Sequence, residues 1–221
     1  MDAGQRYIQT LTSHLDQLDQ QAEALAVAAG LLADAQQEGR LIHLFGTEPS
    51  LAALSAEFFF QPGALMNIDP ILDPSLDPAH GAYRSAMCLK LEGLAPCILD
   101  YYESIEPGDP ILLLGSDPSL PMFSEALRWS KRRGLPTIVV ISRAADAPIC
   151  GADVTLCTGA TFDAGPPEHT ILSAALLHLL LLEVQARLQD PQAHTWSGGR
   201  FVDLAKDRAD IDRLLFRIRH L

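Results

Sequence analysis

Apolar residues recur every three or four positions through the first part of the chain. The members of this series are Ile8, Leu11, Leu15, Leu18, Ala22, Leu25, Ala29 and Leu32. The spacing predicts one long amphipathic helix between Tyr7 and Glu38, because it places these side chains on one face. An apolar face needs a cover. The pattern gives equal weight to two covers, the rest of the domain and a second copy of the chain.

Short apolar runs bounded by glycine or proline alternate with helical segments over the rest of the chain. The runs that resemble buried strands are residues 40–45, 65–68, 110–115, 136–142 and 154–157. The helical segments between and after them are residues 51–60, 83–94, 122–133, 170–189 and 204–219. This alternation predicts a three-layer αβα fold with a doubly wound, mainly parallel sheet. Ligands of such sheets bind at the carboxyl ends of the strands.

The length of 221 residues fits a single α/β domain with a helical extension. We expect an N-terminal helical arm over residues 1–38 and an α/β domain over residues 39–221, together one compact unit. Hydrophobic residues make up 48% of the chain and charged residues 20%, which is enough apolar side chain for a sizeable core.

The net charge of −12 excludes two classes of partner. Nucleic acids and anionic membranes bind proteins mainly through lysine and arginine, so we expect neither as a partner. The amino terminus is polar and resembles no secretory signal, and the longest apolar run, residues 171–184, is too short to span a bilayer. We therefore expect a cytoplasmic protein.

Two loops of similar composition follow two of the predicted strands. The first is Gly46-Thr-Glu-Pro-Ser50 and the second is Gly115-Ser-Asp-Pro-Ser119. Each places small hydroxyl residues between a strand and the amino end of a helix, a position that suits anion binding, although such residues more often simply cap the helix. The candidate ligand-binding residues are Gly46, Thr47, Glu48, Ser50, Gly115, Ser116, Asp117 and Ser119.

Several longer stretches resemble a known family, in order and at similar spacing. They are GRLIHLFGTEPS from residue 39, NIDPILDPSLDPAHGAYRSAMCLKLEG from residue 67, CILDYYESIEPGDPILLLGSDPS from residue 97, KRRGLPTIVVIS from residue 131 and GPPEHTILSAALLHLLLLEV from residue 165. Together they resemble uncharacterised phosphosugar-binding proteins of the SIS (sugar isomerase) family. The resemblance implies a SIS-like, flavodoxin-type fold, a homodimer and a small-molecule sugar derivative as partner.

The resemblance also implies how the two loops would hold a sugar phosphate, and where this chain departs from the pattern. In the family the first loop resembles G-T-G-x-S and the second S-x-S-G. Thr47 and Ser50 match the first loop, but Glu48 stands at its second glycine. Asp117 stands at a serine position of the second loop, and Pro118 replaces its glycine. Both acidic residues would repel a phosphate dianion by Coulomb's law.

Two functions of different classes follow from this pattern. In the first, the site binds a carbohydrate derivative, a phosphosugar or an amino sugar, as a binding module or an enzyme; if the chain is an aldose–ketose isomerase, Glu168 and His169 are the candidates for its base. At a helix start, the same two residues are also common as a dipole partner and a surface side chain. In the second, the site is degenerate and the chain is a non-catalytic dimeric scaffold or regulatory protein.

Metal and cofactor chemistry have weaker support in the sequence. Asp69, Asp73 and Asp77 form an acidic series, but each precedes a proline, and turn formation explains such residues more simply than a cation site. The chain lacks a P-loop and a dinucleotide-binding G-x-G-x-x-G. We expect neither a metal nor a cofactor.

Overall fold

Parallel strands form the centre of the molecule. The computed structural model describes residues 2–142, 151–160 and 168–221. The strands are β1 (Ile42–Gly46), β2 (Ile68–Pro70), β3 (Ile111–Gly115), β4 (Thr137–Ile141) and β5 (Val154–Cys157). They form one sheet in the order β2-β1-β3-β4-β5, and every neighbouring pair is parallel. This order is that of flavodoxin-type folds and confirms the predicted doubly wound sheet.

Helices cover both faces of the sheet and complete the predicted three layers. They are α1 (Ala3–Gln17), α2 (Ala22–Gln37), α3 (Pro49–Glu57), α4 (Ala82–Cys88), α5 (Leu94–Asp100), α6 (Pro121–Arg133), α7 (His169–Gln185) and α8 (Arg208–Leu214). On one face, Leu32 of α2 and Leu176 of α7 belong to one buried cluster. On the other, Leu99 of α5 and Phe123 of α6 belong to a second. Among the described residues, no helix is both long enough and apolar enough to cross a membrane.

The long N-terminal helix is confirmed, with one tight 3₁₀ turn, Leu18–Gln21, between α1 and α2. At this turn the side chain of Gln21 leaves the helix. It donates to the carbonyl oxygen of Cys157 and accepts from the Cys157 amide, each at 2.5 Å. Since β5 is an edge strand, these bonds satisfy backbone groups that its missing neighbour would otherwise leave open. The proposed boundary at residue 38 stays a prediction.

Two helical predictions differ from the structure. The helix predicted over residues 83–94 ends at Cys88, and a separate helix, α5, follows from Leu94. The helix α5 was not predicted, and Pro96 lies in its first turn. Proline is tolerated in the first turn of a helix, where its missing N–H has no intrahelical acceptor to lose. The C-terminal helix is also shorter than predicted, since only Arg208–Leu214 is helical.

The second strand lies later than predicted. We expected residues 65–68, whereas β2 is Ile68–Pro70. Its last residue is a proline, which a central strand would not accept because the ladder loses an N–H donor. β2 pairs only with β1 and lies at the edge of the sheet, so Pro70 costs it nothing.

Candidate functional site

The two loops singled out in the sequence lie next to each other in the structure. They follow β1 and β3, which pair in register from His43 with Ile111 to Gly46 with Leu114. The order of the strands reverses at this pair, because β2 lies on one side of β1 and the later strands lie on the other. Crevices at such a reversal are the usual ligand sites of open α/β sheets.

Gly46 and Gly115 serve the packing of strands against helices. A Cβ atom on Gly46 would lie 2.1 Å from the carbonyl carbon of Leu51 in α3. A Cβ atom on Gly115 would lie 2.3 Å from the ring of Phe123 in α6. Neither position can carry a side chain without moving a helix. These two predicted ligand-binding residues therefore have a structural reason to be glycine.

Glu48 and Thr47 turn toward the second loop. Both carboxylate oxygens of Glu48 accept from the Ser116 hydroxyl, at 2.6 and 2.8 Å, and one of them also accepts from the Ser116 amide. The hydroxyl of the buried Thr47 donates to the carbonyl oxygen of Leu114 at 2.9 Å. The structure thus brings Glu48 and Ser116 together, while Thr47 fastens the first loop to β3.

Asp117, Ser119 and Ser50 lie at the surface. One oxygen of Asp117 accepts from the Ser119 amide at 2.9 Å and from the Ser119 hydroxyl at 2.6 Å, the pattern of a local turn. All three side chains are exposed. The acidic residues of the two loops therefore differ, since Glu48 reaches across to the other loop and Asp117 stays in its own.

Hydroxyl groups continue this site along the carboxyl edge of the sheet. Ser142, after β4, donates to the carbonyl oxygen of Ser116 at 2.5 Å. Thr158, after β5, donates to the carbonyl oxygen of Ser142 at 3.2 Å, and its hydroxyl lies 3.0 Å from Nδ1 of His169. A row of hydrogen bonds thus links Glu48 to His169 across four strand ends.

The electrostatics of the row concentrate the negative charge at one end. Burial lowers the pKa of His169, and the charge of Glu48 only partly offsets this effect. The imidazole is therefore neutral at pH 7. The row therefore has the carboxylate of Glu48 at one end and the imidazole of His169 at the other.

Glu168 contacts the N-terminal helix. Its Oε2 lies 2.6 Å from Nδ1 of His14 in α1, and both side chains are nearly buried. The carboxylate precedes α7 but makes no capping bond to that helix. The two candidate bases thus have separate partners, His14 for Glu168 and Thr158 for His169.

Three residues of the site were missed in the sequence. Ser142 and Thr158 end or follow predicted strands, so the argument that selected Ser116 could also have selected them. His14 gave no such signal, because it lies 154 positions from Glu168 in a helix whose spacing indicates only packing.

A cavity of about 310 Å³ lies beside this site. The described residues that line it are Pro49, Ala52, Ala53, Ala56, Leu72, Asp73, Pro74, Asp77, Pro78 and His80. Asp73 and Asp77 accept from the backbone amides of Ser75 and Ala79, each at 2.8 Å, so they form turns as predicted. The cavity shares Pro49 with the first loop. Neither Glu48 nor Ser116 lines it.

Asp69 belongs to a different cluster, at the amino end of the sheet. It pairs with His43, whose Nδ1 lies 3.2 Å from Asp69 and whose Nε2 lies 3.3 Å from Asp109. Ser104 donates to Asp69 at 2.8 Å. Burial alone would lower the pKa of His43, but its bonds to Asp109 and Asp69 outweigh burial and raise it. Unlike Asp73 and Asp77, Asp69 therefore does not form a turn but pairs with a histidine inside the core.

Comparison with known proteins assigns the chain to a family. The sequence profile described as the SIS domain matches residues 6–142, which is more than half of the chain. The chain belongs to the SIS domain family. The match includes both loops of the site, together with Glu48 and Ser116.

Curated relatives of this SIS domain are UPF0309 proteins. One from Geobacillus kaustophilus is 30% identical over 138 residues, which are 62% of this chain and 54% of the relative. Another, from Geobacillus sp. (strain WCH70), is 32% identical over 139 residues, 62% of this chain and 56% of the relative. The chain spans about half the length of the curated relatives it matches.

Solved structures show the same SIS fold. A phosphoheptose isomerase from Neisseria gonorrhoeae superposes with a TM-score of 0.58 at 16% identity, covering 82% of this chain and 94% of that one. The sugar isomerase domain of an RpiR transcription factor from Sphaerobacter thermophilus superposes with a TM-score of 0.60 at 15% identity, covering 97% and 100%. At these identities the likeness concerns the fold. The fold thus occurs both in a phosphoheptose isomerase and in a domain of a transcription factor.

Proposed function

We propose that this SIS domain binds a carbohydrate derivative at the carboxyl edge of its sheet, between the loops after β1 and β3. The observation that carries the proposal is the row of hydrogen-bonding groups from Glu48 through Ser116, Ser142 and Thr158 to His169. Sugars carry many hydroxyl groups, each of which both donates and accepts. A row that mixes a carboxylate, hydroxyls and an imidazole offers them matching partners.

Its place in the fold also supports this site. The row starts where the order of the strands reverses, and ligands of open α/β sheets bind at that point. A solved neighbour of the same fold is a phosphoheptose isomerase, so the fold is compatible with a sugar ligand. A cytoplasmic location stays a prediction from the sequence.

Isomerisation of the bound sugar would need one more element, a base. In an aldose–ketose conversion a proton leaves carbon 2 and returns to carbon 1, while a hydroxyl proton moves from oxygen 2 to oxygen 1. Glu168 and His169 are the candidates by residue type and by position. Incubation of an aldose in D₂O tests this step: deuterium appears at carbon 1 of the ketose product, and the Glu168→Gln or His169→Gln variant identifies the base by losing that exchange.

A thermal-shift screen tests the binding proposal. We would compare hexoses, heptoses and amino sugars with their phosphates, since a ligand at 100 times its Kd stabilises a protein by about 2.7 kcal/mol. We expect at least one sugar to raise the melting temperature, and Ser116→Ala to abolish that rise. Ser130→Ala is the control, because the Ser130 hydroxyl also donates a hydrogen bond, but it does so within α6, to the carbonyl oxygen of Ala126. A flat response to every sugar would contradict the proposal.

A second candidate function is a dimeric scaffold, and the surface of α1 favours it. No residue of α1 is buried within the single chain, although the helix is amphipathic. Ile8 is 59% exposed and Leu15 37% exposed on its apolar face. A second copy of the chain is the cover that the sequence pattern allows. Dimerisation through α1 is compatible with sugar binding, so a dimer that binds no sugar is the outcome that favours the scaffold.

Sedimentation velocity tests the dimer. We expect the wild-type chain to sediment as a dimer and the double variant Ile8→Glu, Leu15→Glu to sediment as a monomer, because a charge in an apolar interface must be desolvated without a partner. Leu204→Glu is the control, since Leu204 is also exposed but lies far along the chain after α7. A monomeric wild-type chain would contradict this assembly.

A further inference from the structure

The side chain of Glu48 occupies hydrogen-bond donors that an external anion would need. Glu48 is the N-cap residue of α3, but its side chain makes no capping bond to that helix. It reaches the Ser116 hydroxyl at 2.6 and 2.8 Å and also accepts from the Ser116 amide. Two donors of the second loop therefore point at a carboxylate that belongs to the protein itself.

The arrangement resembles an anion site that is already filled. Donors on a loop that follows a strand, close to the amino end of a helix, are the groups that hold phosphates in α/β proteins. In this chain the Ser116 amide and hydroxyl supply those donors, and the amino end of α3 begins next to Glu48. A carboxylate satisfies the same donors as a phosphate oxygen, because both are ionised acceptors.

A free phosphate would have to displace this carboxylate. Glu48 is tethered to the loop, so its effective concentration at Ser116 far exceeds that of a dissolved ligand. A phosphate that entered beside Glu48 without displacing it would meet a like charge at a few ångströms, in a half-buried site where screening is weak. Both routes penalise a phosphorylated ligand.

The neighbouring groups that the structure describes do not relieve this penalty. The imidazole of His169 is neutral at pH 7, and Glu168 brings a second carboxylate to the same edge, bonded to His14. Asp117 is exposed and bonded within its own turn, so it adds charge to the surface but does not contact Ser116. Among the acidic residues of the two loops, Glu48 alone lies on the donors.

We infer that Glu48 acts as a built-in anion that selects against phosphorylated sugars, so that the site takes an uncharged or amino sugar. This inference rests on the proposed function, since it names the ligand class of the same site. An ammonium group suits this site because it can form a charge-assisted hydrogen bond to the Glu48 carboxylate. Glu48 is thus a specificity-determining residue.

Calorimetric titration of inorganic phosphate, glucosamine and glucosamine 6-phosphate into three proteins tests the inference. The proteins are the wild-type chain, Glu48→Gly and Asp117→Asn. Glu48→Gly frees both Ser116 donors, and its backbone is extended, so glycine introduces no strain. Asp117→Asn removes the same unit of charge from the adjacent loop but leaves Glu48 on Ser116, and it is the matched control. Circular dichroism confirms that each variant is folded.

We expect Glu48→Gly to bind inorganic phosphate at least about tenfold more tightly than the wild-type chain. A hydrogen bond to a charged group contributes more free energy than a tenfold change in affinity requires. Asp117→Asn should match the wild type. Equal phosphate affinity in all three folded proteins, or wild-type binding of glucosamine 6-phosphate that is tighter than binding of glucosamine, would overturn the inference.

The two proposals fail in different ways in this experiment. If Glu48→Gly gains phosphate affinity while the wild-type chain binds no sugar in the thermal-shift screen, the role of Glu48 stands and the proposed function fails. If the wild-type chain binds a sugar phosphate through Ser116, the proposed function stands and the role of Glu48 fails.

Discussion

The two ends of the central sheet hold polar groups in opposite ways. At the amino end, His43 lies between the carboxylates of Asp69 and Asp109, and all three side chains are buried. At the carboxyl end, His169 lies beside the hydroxyl of Thr158, and the charge of Glu48 raises its pKa less than burial lowers it.

These different surroundings shift the pKa values of the two imidazoles in opposite directions. Both are buried, and burial lowers the pKa of each. The paired carboxylates reverse that effect for His43 and raise its pKa, whereas the pKa of His169 stays lowered. A buried histidine held by two acids is part of the core. A buried histidine beside a hydroxyl, such as His169 at the start of α7, keeps the lowered pKa that burial gives it.

The amino-end cluster also extends to the C-terminal residues. The hydroxyl of Tyr102 donates to the carbonyl oxygen of Leu72 at 2.8 Å and lies 2.9 Å from Nε2 of His220. Burial raises the pKa of Tyr102 to about 12, so the phenol stays protonated at any physiological pH. Tyr102 therefore joins His220, near the C-terminus, to the segment that follows β2.

Removal of His43 should have the largest effect on this comparison. His43→Leu leaves Asp69 and Asp109 buried without a cation, and loss of one partner from a buried ion pair costs about 3 to 5 kcal/mol. Urea unfolding followed by circular dichroism measures the loss. His80→Leu is the control, because His80 is exposed and should change stability by no more than about 0.5 kcal/mol. A loss below 1 kcal/mol in His43→Leu would mean that the amino-end cluster does not hold the core.

A methyl group at Gly46 should have the next largest effect. Gly46→Ala drives a Cβ atom into the backbone of Leu51, and such overpacking costs about 1 to 3 kcal/mol. Gly30→Ala is the matched substitution in α2, where an added Cβ meets no atom within 4 Å and should raise stability by about 0.5 to 1 kcal/mol. Urea unfolding compares the two variants. Equal effects would contradict a close approach of α3 to the carboxyl end of β1.

The pH dependence of stability should have the smallest effect and the opposite sign at the two ends. For His43, with its raised pKa, the contribution is complete below pH 6.5 or so and is lost as the pH rises through the folded value. For His169, with its lowered pKa, stability is lost as the pH falls below about 6.5, since the unfolded state binds the proton more tightly.

Difference curves isolate these two contributions. The free energy of unfolding of the wild type minus that of His169→Gln should fall as the pH is lowered from 7 toward 5. The same difference for His43→Leu should fall as the pH is raised above neutral. Difference curves that do not depend on pH would show that neither histidine has a shifted pKa.

The sequence was sufficient for most of the fold because its signals are local. The run Thr137–Ile141 is β-branched and bounded by proline, and the strand occurs there. The helix α5 was not predicted and β2 was predicted too early; each contains a proline, Pro96 or Pro70, that is tolerated because of its position in the first turn or at the sheet edge. That position is a property of the tertiary structure.

The site was less accessible to prediction because its bonds join distant parts of the chain. The two loops could be chosen from their composition, but the contact of Glu48 with Ser116 spans 68 positions and that of His14 with Glu168 spans 154. The acidic series shows the same limit. Asp73 forms a local turn as predicted, while Asp69 has a partner that only the pairing of β1 with β2 brings near.

The central claim is that a sugar binds at the carboxyl edge of the sheet, on the row that begins at Glu48. Titration of glucosamine into the ¹⁵N-labelled chain, followed by NMR, tests it most directly, because the amide of Ser116 takes part in that row. The account predicts saturable shifts of the Ser116 and Thr158 amide resonances, while the amides around His43 stay unchanged. Shifts confined to other parts of the chain, or none at all, would contradict it.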